Sequence, residues 1–239
     1  MIRTAYLSEC GGRERNDDTV RVIESEEKAC LIVADGLGGY AGGSVASNAA
    51  AESIAEEFLS GSLDGEQQMI HAAELADQSV IRQQKLKNSR MKTTLVTLVI
   101  DDKHARWMHV GDSRLYYFKN KRLEKQTMDH SVSQVAVLMG EIEPGEIRFH
   151  EDRNRVLRAL GSDNAKPDIS EQIKLDGECD FLLCTDGFWE YVYEEEMEEE
   201  LKKAHDPKEW LQGMKRILES RVPKDNDNYS AAAASYRRR

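Results

Sequence analysis

Leu31-Ile-Val-Ala-Asp-Gly-Leu-Gly-Gly39 is a short apolar run that ends in a carboxylate and continues directly into glycines. Such a run, bounded by glycine, is typical of a strand that is covered on both faces. Asp35 then lies at the end of a rigid strand, just before residues that turn freely. The runs Trp107–Asp112 and Phe181–Gly187 repeat this arrangement and place Asp112 and Asp186 at two further strand ends. The sequence therefore predicts a site where acidic side chains converge.

The charge balance limits the partners of this protein. The 239 residues include 44 acidic and 33 basic side chains, a formal net charge of −11. A nucleic-acid backbone or an anionic membrane requires a basic face, so neither is an expected partner. No apolar run has the length of a membrane span, and the N-terminus lacks the apolar region of a signal peptide. The length suffices for one large core, and we expect a single domain over residues 1–239.

The cysteines favour a reducing compartment. None of the four belongs to a CxxC pair, and two lie inside apolar strand runs. We therefore expect free thiols in a soluble cytoplasmic protein. The cysteines are Cys10, Cys30, Cys179 and Cys184.

The hydrophobic pattern predicts strands that alternate with pairs of helices. Strands are expected at 2–7, 19–24, 29–34, 93–100, 105–110, 115–119, 169–174, 179–184 and 229–236. Helices are expected at 44–59, with Ser44 as N-cap, and at 66–86, 131–139, 153–159, 194–203 and 207–221. A turn is expected at Gly140–Gly145. Short connections make the three strands between 93 and 119 an antiparallel meander, and the whole fits an α+β layered domain.

Two of the Asp-Gly pairs favour a metal site over a turn. Asp64 and Asp176 stand in polar surroundings, where Asp-Gly predicts a turn. Asp35 and Asp186 each close an apolar strand, where an unpaired buried carboxylate is costly and a cation removes that cost. Oxygen ligands without a Cys or His cluster point to Mg²⁺ or Mn²⁺ rather than zinc. At Gly36 no side chain prevents the backbone carbonyl from reaching an ion.

A series of motifs resembles those of the PP2C-type (PPM) metal-dependent Ser/Thr protein phosphatases, in their short bacterial form. The motifs follow the family's order and span about residues 3 to 236. They are Arg13-Glu-Arg-Asn-Asp-Asp18, Val33-Ala-Asp-Gly-Leu-Gly-Gly39, His109-Val-Gly-Asp-Ser-Arg114, Asp129-His-Ser131, Leu157-Arg-Ala-Leu-Gly161, Thr185-Asp-Gly-Phe-Trp-Glu190 and Asp227-Asn-Tyr-Ser230. The resemblance implies a four-layer α-β-β-α sandwich of two mainly antiparallel sheets flanked by helix pairs.

The resemblance also implies a role for each site residue. Asp35 would bridge two core Mn²⁺ or Mg²⁺ ions, with the carbonyl of Gly36 on one of them. Asp186 and Asp227 would complete the shell of the other ion, and Asp18 would hold its ion directly or through a water. Asp112 together with Asp186 would hold a third, weaker ion. Arg13 would clamp the substrate phosphate, because a guanidinium fork matches phosphate oxygens.

The implied reaction is direct attack on phosphorus by a water that two metal ions activate. In agreement, the sequence contains no Cys-x5-Arg nucleophile loop. Leu37 stands where some family members place a histidine, so the general acid is either a metal-bound water or unassigned. We expect His109 and His130 to have structural roles beside the site.

The segment 129–161 corresponds to the family's flap and is the expected substrate-contacting element. Arg153, Arg155 and Arg158 there either offer charge to a substrate or form a solvated helix face. The implied partners are phosphoserine and phosphothreonine proteins, including a cognate Ser/Thr kinase or its substrates, and the protein is expected to be a monomer.

The sequence also leaves two alternative functions to consider and two features unexplained. A phosphatase-like binding module without catalysis is disfavoured because every implied metal position retains its aspartate. A nucleotide site in Gly36–Gly43 lacks the GxGxxG spacing. The alanines in the last predicted strand are weak strand formers, and the role of the tail Arg237–Arg239 is not assigned.

Overall fold

A computed structural model describes residues 1–25, 27–38, 42–61, 63, 65–101 and 103–237. The strands are β1 (Ile2–Glu9), β2 (Thr19–Glu24), β3 (Lys28–Ala34), β4 (Gly36–Leu37), β5 (Lys92–Thr93), β6 (Leu95–Asp101), β7 (His104–Val110), β8 (Arg114–Lys119), β9 (Arg122–Gln126), β10 (Asp168–Ile169), β11 (Ile173–Lys174), β12 (Glu178–Cys184) and β13 (Tyr229–Arg237). The α-helices are α1 (Gly42–Leu59), α2 (Glu66–Lys87), α3 (Val132–Leu138), α4 (Asp186–Trp189), α5 (Glu194–Lys203) and α6 (Pro207–Glu219), and a 3-10 helix spans Pro144–Phe149. Gly39, the predicted turn at Asp64 and the tail residues Arg238 and Arg239 lie outside the described residues.

Two antiparallel sheets pack face to face and form the centre of the molecule. Sheet 1 has the order β1-β13-β12-β8-β9, and sheet 2 has the order β10-β7-β6-β3-β2, with β11 also paired to β7. One core fills the space between the sheets, a second lies between sheet 2 and helices α1 and α2, and a third lies between sheet 1 and helices α4 to α6. The predicted four-layer α-β-β-α sandwich is confirmed.

Strand β13 shows why an alanine run forms a strand here. It lies between β1 and β12 in sheet 1. Ala232 and Ala234 face the core between the sheets, whereas Ala231 and Ala233 face the core under the helices. All four are fully buried. Small side chains allow both neighbouring layers to approach a central strand closely, and this packing outweighs the low strand propensity of alanine.

The predicted meander between 93 and 119 is wrong in its third strand. β6 and β7 pair in sheet 2, but β8 pairs with β12 and β9 in sheet 1. The chain crosses between the sheets after Gly111, which has φ of +104°. Only glycine adopts that conformation readily.

The helix predicted at 153–159 is wrong, because this segment uses its backbone for pairing. Leu157 N–H donates to the carbonyl of His130 over 2.7 Å, and the carbonyl of Arg155 accepts from Val132 N–H over 3.0 Å. The three arginines of the segment therefore form no helix face. The predicted turn at Gly140–Gly145 is present at its start, where Gly140 has φ of +74°. Its last two residues instead begin the 3-10 helix Pro144–Phe149.

Three smaller predictions are also corrected. The strand expected at 169–174 is split into β10 and β11, because Ser170 turns to bond the backbone of Trp107 through both its N–H and its hydroxyl. The edge strand β9 was not predicted, since it is polar and largely exposed. Ser44 is not an N-cap: α1 begins at Gly42, and Ser44 N–H donates instead to the Asp17 carboxylate over 3.1 Å.

Two bulk predictions agree with the structure. All four cysteines are free, and Cys30, Cys179 and Cys184 are buried. Among the described residues, no helix combines the length and the apolarity needed to span a membrane.

Candidate metal centre

The three strand-end carboxylates meet at one end of the sandwich. Asp35 follows β3 and Asp112 follows β7 in sheet 2, while Asp186 follows β12 in sheet 1. They line one cleft with a volume of about 860 Å³. The other residues that line it are Arg13, Glu14, Arg15, Asp17, Gly36, Leu37, Gly38, Asn154, Val156, Asp227 and Asn228.

The electrostatics of the cleft favour a bound cation. Burial, reinforced by the charges of neighbouring aspartates, raises the pKa of Asp35 and of Asp112 well above the usual range. The same causes raise the pKa of Asp186 to about 6 and that of Asp18 to about 7. Each shift means that the charged form lacks compensation from the protein alone. A cluster of carboxylate oxygens and a backbone carbonyl is the donor set of Mg²⁺ or Mn²⁺, so the residues present fit these ions.

Two adjacent threonines hold the backbone of Asp35. Its N–H donates to Oγ1 of Thr94 over 2.9 Å, and its carbonyl accepts from Thr94 N–H over 2.9 Å and from Oγ1 of Thr93 over 2.8 Å. At Gly36 an added Cβ would lie 2.2 Å from the carbonyl oxygen of Gly43. Glycine is therefore required at that position for α1 to pack beside the cleft.

An indole couples Asp112 to the helix that begins with Asp186. Nε1 of Trp189 in α4 donates to the Asp112 carbonyl over 2.9 Å. The Arg114 guanidinium lies 3.5 Å above the Trp189 ring and forms a bidentate bond to Asp129, with both distances 2.8 Å. This pair is buried, so it acts as a fixed support beneath the strand ends rather than as a flexible surface contact.

Arg13 and Asp227 form the exposed side of the cleft. Nη2 of Arg13 lies 3.0 Å from Oδ2 of Asp227, and the two side chains are 55% and 52% exposed. Asn228 ties their loops together: its side-chain N–H₂ donates to the carbonyls of Cys10 and Arg15 over 2.9 and 2.8 Å. An arginine that is anchored yet open to solvent is available to an incoming anion.

Asp18 lies behind the cleft wall instead of lining it. Its carboxylate accepts from Oγ1 of Thr185 over 3.0 Å, and the residue is 8% exposed. Burial, followed by the charges of Asp186 and Asp227, raises its pKa. Asp17, which the sequence analysis did not single out, lines the cleft and accepts from Ser44 N–H at the start of α1.

Glu190 is a second residue that the sequence analysis missed. It follows Asp186 by four residues and lines a side pocket of about 190 Å³ that shares Arg13, Asp186 and Asp227 with the cleft. Burial and then the charge of Asp186 raise its pKa to about 7, although Nε of Arg153 lies 3.0 Å away. The one signal in the sequence was its spacing, since residues four apart share one face of a helix.

A two-sheet sandwich that directs desolvated aspartates and solvent-open arginines into a single cleft defines a metal-binding hydrolase. Comparison with known sequences then identifies the family. The family model described as Protein phosphatase 2C matches residues 10–225, and the chain belongs to this family. The resemblance seen in the motifs is thereby confirmed.

Individual relatives agree with the family assignment. The chain is 30% identical over 198 residues to the serine/threonine phosphatase stp of Listeria innocua serovar 6a, covering 80% of this chain and 79% of that protein. It is similar to the crystal structure of the Mycobacterium tuberculosis serine/threonine phosphatase PstP/Ppp, with a TM-score of 0.87 and 26% identity over 99% of both chains. It is also similar to the catalytic domain of the phosphatase PstP in complex with two manganese ions, with a TM-score of 0.83 and 25% identity over 99% of both chains.

Proposed function

We propose that this protein is a Mn²⁺- or Mg²⁺-dependent protein phosphatase that hydrolyses phosphoserine and phosphothreonine in proteins. The observation that carries the proposal is the convergence of desolvated carboxylates beside a solvent-open arginine. The carboxylates need a cation, and the exposed guanidinium of Arg13 can bind an anion. A metal-assisted phosphate ester site uses both properties. Relatives named as serine/threonine phosphatases support the same substrate class.

The aspartates hold the ions in this proposal. Asp35, the carbonyl of Gly36, Asp186 and Asp227 would hold two core ions. Asp18 would contribute from behind the wall, through a water or directly. Asp112 and Asp186 would hold a third, weaker ion.

The protein supplies orientation and shielding around the ions. When bound, the ions lower the pKa of a water and neutralise charge on the phosphate oxygens. Arg13 orients the phosphate through its guanidinium fork, and Asp227 restricts the motion of that fork. The threonine bonds to Asp35 hold the backbone that carries its carboxylate, which limits reorganisation of the site during the reaction. Cys10, the exposed cysteine, is followed by Asn16 where a Cys-x5-Arg nucleophile loop needs arginine, which agrees with direct attack by water.

The cellular setting is part of the proposal. Residues 1–239 act as one monomeric phosphatase domain in the cytoplasm, with residues 129–161 as its flap. Buried free thiols support a reducing compartment. The substrates include a Ser/Thr kinase or proteins that this kinase phosphorylates.

Phosphate release from matched peptides tests the proposed function. Peptides that carry phosphothreonine, phosphoserine or phosphotyrosine in one sequence are incubated with Mn²⁺, with Mg²⁺ or with EDTA. We expect turnover of the first two peptides with either metal and none in EDTA. Absence of turnover under every condition, in a folded protein that binds Mn²⁺, would contradict catalysis and favour a binding module.

A further inference from the structure

His130 joins the base of the flap to the strand end that carries Asp112. Its Nδ1 accepts the backbone N–H of Gly111 over 3.1 Å, and its own backbone N–H donates to the Gly111 carbonyl over 2.9 Å. On the other side of the ring, Nε2 lies 3.2 Å from Oδ2 of Asp168 and 3.3 Å from Nη1 of Arg158. The residue is 8% exposed. Both ring nitrogens are thus engaged, each with a different part of the chain.

These bonds fix the tautomer of His130 and argue against a metal site. Because Gly111 donates to Nδ1, the proton of the ring is on Nε2, where it donates to Asp168. His109 stacks on the ring, with centroids 4.5 Å apart. His109, His130 and Asp168 are close enough together to hold a metal ion, if distance is the only criterion. His130 has no free lone pair for an ion, however, and the guanidinium of Arg158 already occupies this side and bonds Oδ1 of Asp168 over 2.8 Å. His130, Gly111, Asp168 and Arg158 therefore form a hydrogen-bonded clamp.

The flap side of the clamp leads to the cleft wall. Leu157 N–H donates to the His130 carbonyl over 2.7 Å, and Ser131 pairs with Val156 in an antiparallel bridge. Val156 and Asn154 line the cleft. A shift of the His130 backbone therefore moves the part of the flap that faces a substrate.

The strand side of the clamp leads to the carboxylates. An added Cβ at Gly111 would lie 2.7 Å from the side chain of Thr94, so the two residues are closely packed. Thr94 is the residue whose hydroxyl accepts the Asp35 N–H. Gly111 also directly precedes Asp112. The hydrogen bond from Gly111 to His130 thus restrains the backbone beside Asp112, and through Thr94 it also supports Asp35.

We propose that His130 is a positioning residue with two separable arms. The Nδ1 arm holds the Gly111 backbone and thereby the metal affinity at Asp112. The Nε2 arm holds the flap base through Asp168 and Arg158, and thereby the wall that contacts a protein substrate. The proposal rests on the phosphatase function proposed above.

Two substitutions at His130 separate the arms. In His130→Asn the amide oxygen replaces Nδ1 and the Nε2 donor is lost. In His130→Gln the amide nitrogen replaces Nε2 and the Nδ1 acceptor is lost. Asp168→Asn weakens the Nε2 arm without changing His130, and His71→Gln, at an exposed histidine of α2, is the matched control.

Three measurements are made on each variant: the Mn²⁺ concentration for half-maximal turnover, KM for a phosphothreonine protein, and hydrogen exchange of the Gly111 amide without metal. One lost hydrogen bond changes an equilibrium by about fivefold to tenfold. His130→Gln should raise the Mn²⁺ requirement and the Gly111 exchange rate by about that factor, with KM little changed. His130→Asn and Asp168→Asn should instead raise KM, with a near wild-type Mn²⁺ requirement. His71→Gln should match the wild type throughout.

Equal effects of His130→Asn and His130→Gln on all three measurements would overturn the proposal, because a merely structural histidine gives that result. Unchanged values in both variants would overturn it as well. Thermal unfolding of each variant shows whether it has folded. Failure of the proposed function is distinguishable, since the wild-type protein would then release no phosphate while Gly111 exchange still reports on the clamp.

Discussion

The strand ends and the flap both line the cleft, but they are built by different physical means. At the strand ends, buried backbone hydrogen bonds hold Asp35 on both sides, and the Trp189 indole holds Asp112. In the flap, three large apolar side chains face solvent: Leu138, Met139 and Phe149 are 68%, 69% and 73% exposed. The strand ends hold like charges close together at a cost in folding stability, whereas the flap leaves apolar surface exposed to solvent.

This difference assigns separate tasks to the two regions. A rigid group of carboxylates suits chemistry, because its orientation is set before substrate binds. An exposed apolar surface near such a site suits contact with a second protein. Changes at the strand ends should therefore affect every phosphate ester, and changes on the exposed apolar surface of the flap should affect only protein substrates. Four predictions test this division.

The largest effect is expected at Asp35. Asp35→Asn removes a charge from the centre of the site, and metal-ion stabilisation worth about 4 kcal/mol corresponds to about a thousandfold in rate. We expect that loss on para-nitrophenyl phosphate and on a phosphothreonine protein alike. Asp176→Asn is the matched control: it is also an Asp-Gly pair, but it lies in a surface turn and pairs with Lys119 over 2.7 Å. Turnover of Asp35→Asn equal to that of Asp176→Asn would show that the strand-end carboxylates are not the metal centre.

The same contrast explains what the sequence could predict. Asp35, Asp112 and Asp186 each follow an apolar run, so the strand and the carboxylate at its end are visible together in the sequence. Asp17 was missed because its place in the cleft depends on the start of α1, far along the chain, where Ser44 N–H bonds it. Glu190 was missed because the helix that presents it is a single turn.

The flap was predicted less well for a related reason. Several of its apolar residues face solvent while others, such as Ile147 and Leu160, enter two different cores, so their spacing carries no single reliable period. Residues 153–159 became a paired segment because the chain before α3 offers them backbone partners. Likewise, the transfer of β8 to the other sheet depends on the conformation of Gly111, which hydrophobic periodicity does not report. Non-local pairing decided each of these cases.

The next effect is a dependence of stability on pH in the metal-free protein. The pKa of Asp186 is about 6 in the folded protein, above the value of 3.8 for a free side chain, so the folded state binds the proton more tightly. The stability that this proton contributes is present below about pH 4 and is lost as the pH rises through about 6. The loss for Asp186 alone is on the order of 3 kcal/mol.

Chemical denaturation in EDTA at pH 5 and pH 8 measures this dependence. Asp186→Asn cannot ionise, so its unfolding free energy should fall less between the two pH values than that of the wild type. Mn²⁺ should restore the wild type at pH 8 and have a smaller effect on the variant. Parallel pH dependences for the two proteins would contradict the burial of a strained charge at this strand end.

A smaller effect is expected at Arg13. Arg13→Ala removes charge-assisted hydrogen bonds worth about 2 to 3 kcal/mol, which lowers kcat/KM by about a hundredfold. Arg13→Lys retains the charge without the guanidinium fork, so its kcat/KM should lie between those of the wild type and Arg13→Ala. Both substrates should be affected, because the phosphate is common to them. An equal kcat/KM for Lys and Arg at this position would show that charge alone matters.

The smallest effect is expected in the flap and should depend on the substrate. Val135, Leu138 and Met139 occupy one exposed face of the segment that includes α3, since residues three and four apart are neighbours on a helix. Leu138→Asp places a charge on that face without disturbing the core. Loss of one apolar contact worth about 1 kcal/mol should raise KM for a phosphothreonine protein about fivefold.

Turnover of para-nitrophenyl phosphate by Leu138→Asp should remain at the wild-type level, because that ester is too small to reach α3. Leu86→Asp is the matched control, since Leu86 is equally exposed at 73% but lies near the end of α2. If both variants raise KM equally, added negative charge repels the substrate and α3 is not a contact surface. If Leu138→Asp slows turnover of both substrates, the exposed surface of the flap also acts on the carboxylates, and the division between the two regions fails.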